Sequence, residues 1–371
     1  MNILSNLCFF ADGKVSVSDL CLDIYISTEN MLPNKDGITR SSGLPTVSQT
    51  QAYKAGDVLV SNIRPYFRKI WLSDRDGGCS NDVLVLRANS ETHPKFLYYL
   101  LSNDDFFDYA TATAKGTKMP RGDKGAIMRY EVPELQYNTQ VEIANILSAF
   151  DARIIENKKI NHHLEQMAQT IFKSWFVDFE PFTDGDFIDS ELGEIPVDWR
   201  VGRLSELITV KYGKDQKKLA DGTIPVFGSG GIMRFADTAL YNEESVLIPR
   251  KGTLNNVMYI NKPFWSVDTM FYTEMSHQNI AKYIYFFVSS KDLASMNAGS
   301  AVPSMTTEIL NALPVVIPPD SELARFEEVV DVQFKQMQAN QAESDNLAAL
   351  RDTLLPRLMS GELSVAEVAV K

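Results

Sequence analysis

The chain has 371 residues, 44% of them apolar and 10% aromatic, and a formal net charge of −12. That much apolar material supports two or three packed cores, while the net acidity argues against a stand-alone nucleic-acid binder, which is usually basic. No apolar run approaches the roughly 18–20 residues that span a bilayer and the first residues carry no basic leader, so the expectation is a soluble cytoplasmic protein with no membrane partner.

The acidity is unevenly placed. Residues 1–137 hold 15 Lys and Arg against 16 Asp and Glu, and the acid excess lies further along. DNA contact, if any, then falls to local basic clusters and to a partner that supplies more positive field. Cys8, Cys21 and Cys79 are widely spaced with no CxxC, which indicates neither a disulfide framework nor a zinc site.

Residues 1–137 read as a mixed α/β domain. Gly56–Asp74 predicts a strand, a basic break at Asn62–Arg64 and a second strand, and Ser80–Asn89 predicts another by its β-branched alternation. Pro94 opens a helix, KFLYYLLSNDDFFDYA, with apolar spacing of three and four. The Gly- and Lys-rich loop AKGTKMPRGDKGAI follows. Thr139 with Glu142 then forms a capping-box pattern for a long helix from Thr139 to Phe176.

Along that helix Ile143, Leu147, Phe150, Ile154, Asn157, Asn161, Leu164, Ala168, Ile171 and Trp175 fall on one heptad seam, the pattern of a helix that lies along another. Adding 183 to each number gives Phe326, Val330, Gln333, Met337, Asn340, Ser344, Leu347, Arg351, Leu354 and Leu358, a second seam of the same kind. Two seams at one offset mark an internal duplication. Asn157 and Asn340 correspond, so even the polar interruption recurs, and a buried Asn in a helical seam sets register.

Between the helices VDFEPFTDGDFIDSELGEIPVDW reads as an ordered linker with apolar anchors at Phe182, Phe187, Ile188 and Trp199. The second globular part repeats the first: Glu244–Asn261 gives strand, basic break, strand, and Ala281–Asp292 gives the helix. Gly299–Met305 corresponds to Gly116–Gly122 at the same offset as the seams. Asp320 or Ser321 caps the second long helix, Pro356 predicts a kink in it and Gly361 its end. Helices of about 38 residues are roughly 57 Å long. For the seams to bury each other they must run antiparallel about a pseudo-two-fold axis, which makes a ruler with a reading head at each end. Two similar heads at fixed separation suit double-stranded DNA with two half-sites.

Two variable domains each followed by a heptad helix, with SELGEIPVDW between the halves and LLPRLMSGEL at the end, closely resemble the specificity (S) subunit of type I restriction-modification systems, over essentially the whole chain. The resemblance implies an α+β fold: target-recognition domains at 1–137 and 199–319, spacer helices at 138–180 and 320–360, a linker at 181–198 and a tail at 361–371. It implies a non-catalytic subunit without a cofactor of its own that reads a bipartite, asymmetric site. Two modification subunits, which bind S-adenosylmethionine and methylate adenine, would dock on helices and linkers, and restriction subunits would join them.

Candidate DNA contacts in the first head are Arg64, Arg68 and Lys69 at the strand break, joined by Tyr66 and Phe67, and Lys115, Thr117, Lys118 and Arg121 in a loop whose Gly116 lets backbone approach phosphate. In the second head they are Lys214, Lys217 and Lys218, then Arg250 and Lys251, and in the nearly uncharged loop Ser300 and Ser304. FGSGGI (Phe227–Ile232) lacks the spacing of a nucleotide cradle and reads as a tight turn. His162 and His163 are helical neighbours that cannot face one metal. No amino-methylation motif, Walker motif or catalytic triad pattern is present. The competing reading is a coiled-coil adaptor whose heads bind proteins, which accounts for the acidity more simply.

Overall fold

The computed structural model describes residues 2–296 and 304–368. The chain divides into two compact units, Met1–Lys158 with Asn340–Lys371, and Lys159–Ala339.

The first unit is built on an antiparallel sheet of Cys8–Phe10 (β1), Val58–Ser61 (β2), Ile70–Leu72 (β3) and Val83–Ala88 (β4), in the order β1-β4-β2-β3. β2 and the first four residues of β4 are buried throughout because both faces are covered. Val58, Val60, Leu84 and Leu86 point into one core with Phe96 and Phe106, and Leu59, Val83 and Val85 into another with Ile26, Met31 and Tyr53. The alternation expected of half-buried strands is therefore replaced by a continuous apolar run.

Pro94 does start a helix, but the single helix expected over 95–110 is two: Pro94–Ser102 (α1) and Asp104–Ala112 (α2). Asn103 between them is extended, and its side chain accepts from the Asp105 N–H. A residue whose carboxamide caps the next turn breaks the helix it interrupts, although the apolar spacing carries across it.

The second unit repeats the sheet. Ile208–Tyr212 (β5), Asp221–Gly228 (β6), Gly231–Ala236 (β7), Ser245–Pro249 (β8), Met258–Ile260 (β9) and Met270–Met275 (β10) are its main strands. The order β5-β10-β8-β9 reproduces that of the first unit. β6 and β7 form a hairpin that pairs through β6 with Trp265–Ser266. The following helix, Ala281–Ser289 (α3), stops short of the expected Asp292.

The long helices are Tyr137–Phe176 and Asp320–Ser360. The first begins before Thr139, so the Thr139–Glu142 capping box does not form. The Gln140 N–H already bonds the Gln136 carbonyl. The buried Gln140 side chain instead accepts from His93 N–H and donates to the Leu135 carbonyl, which satisfies backbone groups of the entering loop. The second long helix continues through Pro356 and stops at Gly361, whose φ of 74° suits glycine.

No seam position is exposed. In the first unit Ile143, Leu147, Leu354 and Leu358 share a core with Leu97 and Leu100 of α1. Asn157 Nδ2 donates to the Asn340 carbonyl and to Ser344 Oγ, both at 3.2 Å, and Arg351 pairs with Asp151 at 2.5 Å. In the second unit Asn161 Nδ2 donates to the Met337 carbonyl at 3.0 Å, and Phe326 and Val330 are buried with Phe172 and Trp175. Partners fall in number on one helix as they rise on the other, so within each unit the helix segments run antiparallel. Phe150, Ile154, Leu164, Ile171, Met337 and Leu347 are half-buried. Leu355, Met359, Phe172, Phe176, Leu323 and Phe334 lie off the seam yet are buried, because there a helix is covered by globular core as well as by its partner.

The linker is ordered. Phe187–Ser190 and Gly193–Pro196 make a hairpin, and the Trp199 indole packs 4.8 Å from the Phe182 ring and 5.7 Å from the Phe176 ring. Ile188 is not the anchor expected of it. The hairpin is two strands wide and leaves that side chain exposed.

Candidate nucleic-acid interface

In the first unit the strand break and the basic loop, distant in the chain, form one surface. The chain leaves β2 at Asn62, whose carbonyl accepts from Gly122 N–H at 3.0 Å, and the Arg64 N–H donates to the Pro120 carbonyl at 2.8 Å. Ile63 and Arg121 thereby make an isolated antiparallel bridge, and Arg121 makes a second with Lys115. Arg64 and Arg68 flank a turn at Pro65–Phe67 and both take left-handed backbone, with φ of 50° and 52°. Non-glycine residues held there mark a locally over-determined segment.

The cations differ in what they are free to do. Arg68 is paired with Asp104 at 2.9 Å and with Asp108 at 3.6 Å, and Lys69 donates to the Thr28 carbonyl, its pKa lowered by burial. Arg68 thereby holds the break onto α2, and Lys69 holds it onto the segment at Thr28. Arg121 meets Asp82 at 3.0 Å while remaining exposed, and Lys115 meets Asp123 at 2.5 Å. Asp123 also caps the turn at Lys124–Ile127. The Lys115 ammonium and the Ala126 and Gly125 N–H groups lower its pKa to about 2. Thr117 and Lys118 stand at the exposed tip with Met119. Tyr66 and Phe67 are exposed beside the break with ring centroids 4.8 Å apart. The outward-facing set is thus Lys118, Thr117, Arg121 and the two aromatic rings.

The second unit builds the same join. Met305 N–H donates to the Arg250 carbonyl at 2.9 Å, and Lys251 bridges Ser304. Ser304 is the counterpart of Arg121 at the offset that relates the two seams, so one strand-break-to-loop contact occurs twice with different side chains. Ser300 lies outside the described residues. The Arg250 guanidinium lies 5.3 Å from the centroid of the exposed Tyr212 ring and donates to the Asp268 carbonyl at 3.1 Å. Lys214 is fixed through its backbone, accepting from Trp265 Nε1 at 2.9 Å and donating to Ser266 at 2.8 Å. Lys217 and Lys218 are exposed on the loop after it.

FGSGGI is the tip of the β6–β7 hairpin. The Ser229 carbonyl accepts from Asn256 Nδ2 at 2.8 Å. Gly252 has a φ of +88°, which holds the position to glycine, and a Cβ there would meet Ser229 Oγ at 2.7 Å and turn that hydroxyl aside. Sequence reasoning missed the acidic partners of Arg68 and Arg121. It also missed the solvent-facing side of the hairpin, for which the only signal was the apolar pair at 233 and 235.

No helix among the described residues is long and apolar enough to cross a membrane. Cys8 and Cys79 are buried free thiols whose pKa values burial raises to about 12.

The family profile described as type I restriction modification DNA specificity domain matches residues 15–166 and 196–341. The chain is similar to the type I restriction enzyme MjaIX specificity subunit of Methanocaldococcus jannaschii, 28% identical over 303 residues that cover 74% of this chain and 70% of that protein. The HindI specificity subunit of Haemophilus influenzae is 24% identical over 442 aligned positions, covering 92% and 94%. The crystal structure of the type I restriction-modification S subunit from M. genitalium superposes with a TM-score of 0.55 at 18% identity, over 96% of this chain and 95% of that one, and so shares its fold. Two matched segments, each a sheet domain running into a long helix, leave one conclusion: the chain belongs to the type I restriction-modification DNA specificity family.

Proposed function

We propose that this chain reads a split, asymmetric DNA site, one half with residues 1–137 and the other with residues 199–319, and that the helices at 138–180 and 320–360 set the number of unread base pairs between them. It carries no chemistry of its own. Two modification subunits supply methylation and restriction subunits supply cleavage, all in the cytoplasm. The observation that carries this reading is the repeated join: a strand break is bridged to a distal loop at Ile63 and Arg121, and again at Lys251 and Ser304, the counterpart of Arg121 in the duplicated half. A site built twice on one scaffold with unlike side chains, the cation on the loop at Arg121 in one copy and on the strand break at Lys251 in the other, suits two different half-sites.

The direct test is methylome sequencing of cells that carry this chain and its modification subunit. A split motif of two unlike halves is the expected result, and a continuous motif or none refutes the reading. At the loop, Lys118→Ala with Arg121→Ala in the reconstituted complex should flatten the dependence of log K on log salt by about 0.9 for each lost phosphate contact. An unchanged affinity and slope would remove this loop from the interface.

A further inference from the structure

Outside the basic clusters, the β6–β7 hairpin of the second unit carries a bare apolar face. Ile232 at the turn, Met233 and Phe235 are 52%, 58% and 49% exposed, and Met233 is the extra residue where the pairing of β6 with β7 shifts register, between the partners of Phe227 and Val226. The only charge on the strand, Arg234, is turned the other way, donating to the Leu219 carbonyl at 2.7 Å and facing Asp221 at 3.6 Å. Large apolar side chains grouped on a solvent-facing ribbon mark a contact surface more often than a packing accident. The ribbon is held stiffly: Val267 N–H donates to the Phe227 carbonyl, and Ser229 is fixed by Asn256.

Cations lie on the segments that neighbour this hairpin. Lys217 lines the same depression as Ile232, Met233, Asp268 and Thr269. Lys214 bonds Ser266, which pairs with Phe227, which pairs with Ile232. The Arg250 and Lys251 N–H groups both donate to the Thr269 carbonyl. Six cations, counting Lys218 and Arg234, stand against Asp215, Asp221, Asp237 and Asp268. A polyanion with an apolar feature at its centre fits this arrangement better than an apolar protein face does. A two-stranded antiparallel ribbon fits the major groove of duplex DNA, about 12 Å wide, and the apolar group on that groove's floor is the thymine methyl.

We propose that the hairpin Asp221–Ala236 enters the major groove of the second half-site and that Met233 and Phe235 read thymine methyl groups there. The inference rests on the function proposed above. The flanking lysines and Arg250 hold phosphates and give no sequence information.

The test uses the chain assembled with its modification subunit and DNA carrying the motif found by methylome sequencing, with each thymine of the second half-site replaced in turn by deoxyuridine. Loss of a contacted methyl should weaken binding about fourfold. Met233→Ala with Phe235→Ala should bind the thymine and uracil sites alike, while keeping assembly with the modification subunit and the same salt slope. A thymine-to-uracil ratio unchanged by the variant overturns the proposal, as does a half-site without thymine. Loss of assembly in the variant also overturns it, since the face would then dock a protein. A wild-type complex that binds the motif with no uracil effect refutes the hairpin assignment alone, and one that binds no specific DNA refutes the proposed function with it.

Discussion

Lys282 in α3 is 2% exposed, and its ammonium is held by Glu327 and, at 3.0 Å, by Asp331 of the second long helix. The Tyr259 and Phe334 rings lie 5.6 and 5.3 Å from its Nζ. Burial opposes the charge, yet the two carboxylates hold the Lys282 pKa above its usual value. Lys282→Met keeps the length of the stem and removes the charge, leaving Glu327 in largely apolar surroundings with an Oε2 that already lacks a hydrogen bond. Breaking one side of a buried pair costs about 3–5 kcal/mol. Asp331 keeps Lys335 at 2.7 Å, so the cost concentrates on Glu327. Adding Glu327→Leu removes the stranded charge and should return stability to within about 1 kcal/mol of the wild type. Urea unfolding followed by tryptophan fluorescence reports mainly the second unit, which holds Trp175, Trp199 and Trp265 against Trp71 in the first. With an m-value of about 2 kcal/mol/M the single variant should lose roughly 1.5–2.5 M in midpoint. A loss below about 0.5 M, or a double variant no better than the single one, refutes the argument.

The parts of the fold that the sequence disclosed are those set by local period. The seam from Ile143 to Trp175 and its copy from Phe326 to Leu358 were legible because a heptad places side chains without reference to anything distant. The offset between the two seams carried over to the loop side of the join, where Ser304 answers to Arg121, but not to the strand side, where Ile63 answers to Val246 and the bridge is made by Lys251. Asn103 was not legible, since a capping side chain leaves the apolar spacing on either side intact. Arg68 and Lys69 are candidate DNA contacts by residue type, as Lys118 is, yet Asp104 and the Thr28 carbonyl occupy them. Such pairing is tertiary, and residue type alone cannot tell a cation that holds the fold from one offered to DNA. The hairpin face shows the same limit. Residue type along IMRFA does not reveal the register shift at Met233, and only the packed structure shows that Ile232, Met233 and Phe235 meet solvent.

Two further outcomes follow from single contacts. Asp123 has its pKa depressed to about 2 by Lys115 and two backbone N–H groups. Its stabilisation of the Lys124–Ile127 turn is therefore present above the ordinary carboxylate pKa of about 3.9 and lost as pH falls through the depressed value. An NMR titration of its carboxyl carbon should show a midpoint near 2, and a midpoint at the ordinary value would mean that the cap and the ion pair are not formed. Asn157 is buried among the helices with an Oδ1 that has no partner. The groups that its amide serves have others: Glu343 keeps Arg153 at 2.8 Å, and Ser344 Oγ keeps the Asn340 carbonyl at 2.8 Å. Asn157→Leu thus strands nothing and relieves one unsatisfied acceptor, so it should stabilise the first unit by about 1 kcal/mol. What it removes is the polar link from Asn157 to the Asn340 carbonyl and Ser344, and under the spacing reading methylation should spread to sites whose spacer is a base pair longer or shorter. A variant that is less stable, or more stable with its spacer preference as sharp as before, would show that Asn157 does not set the register.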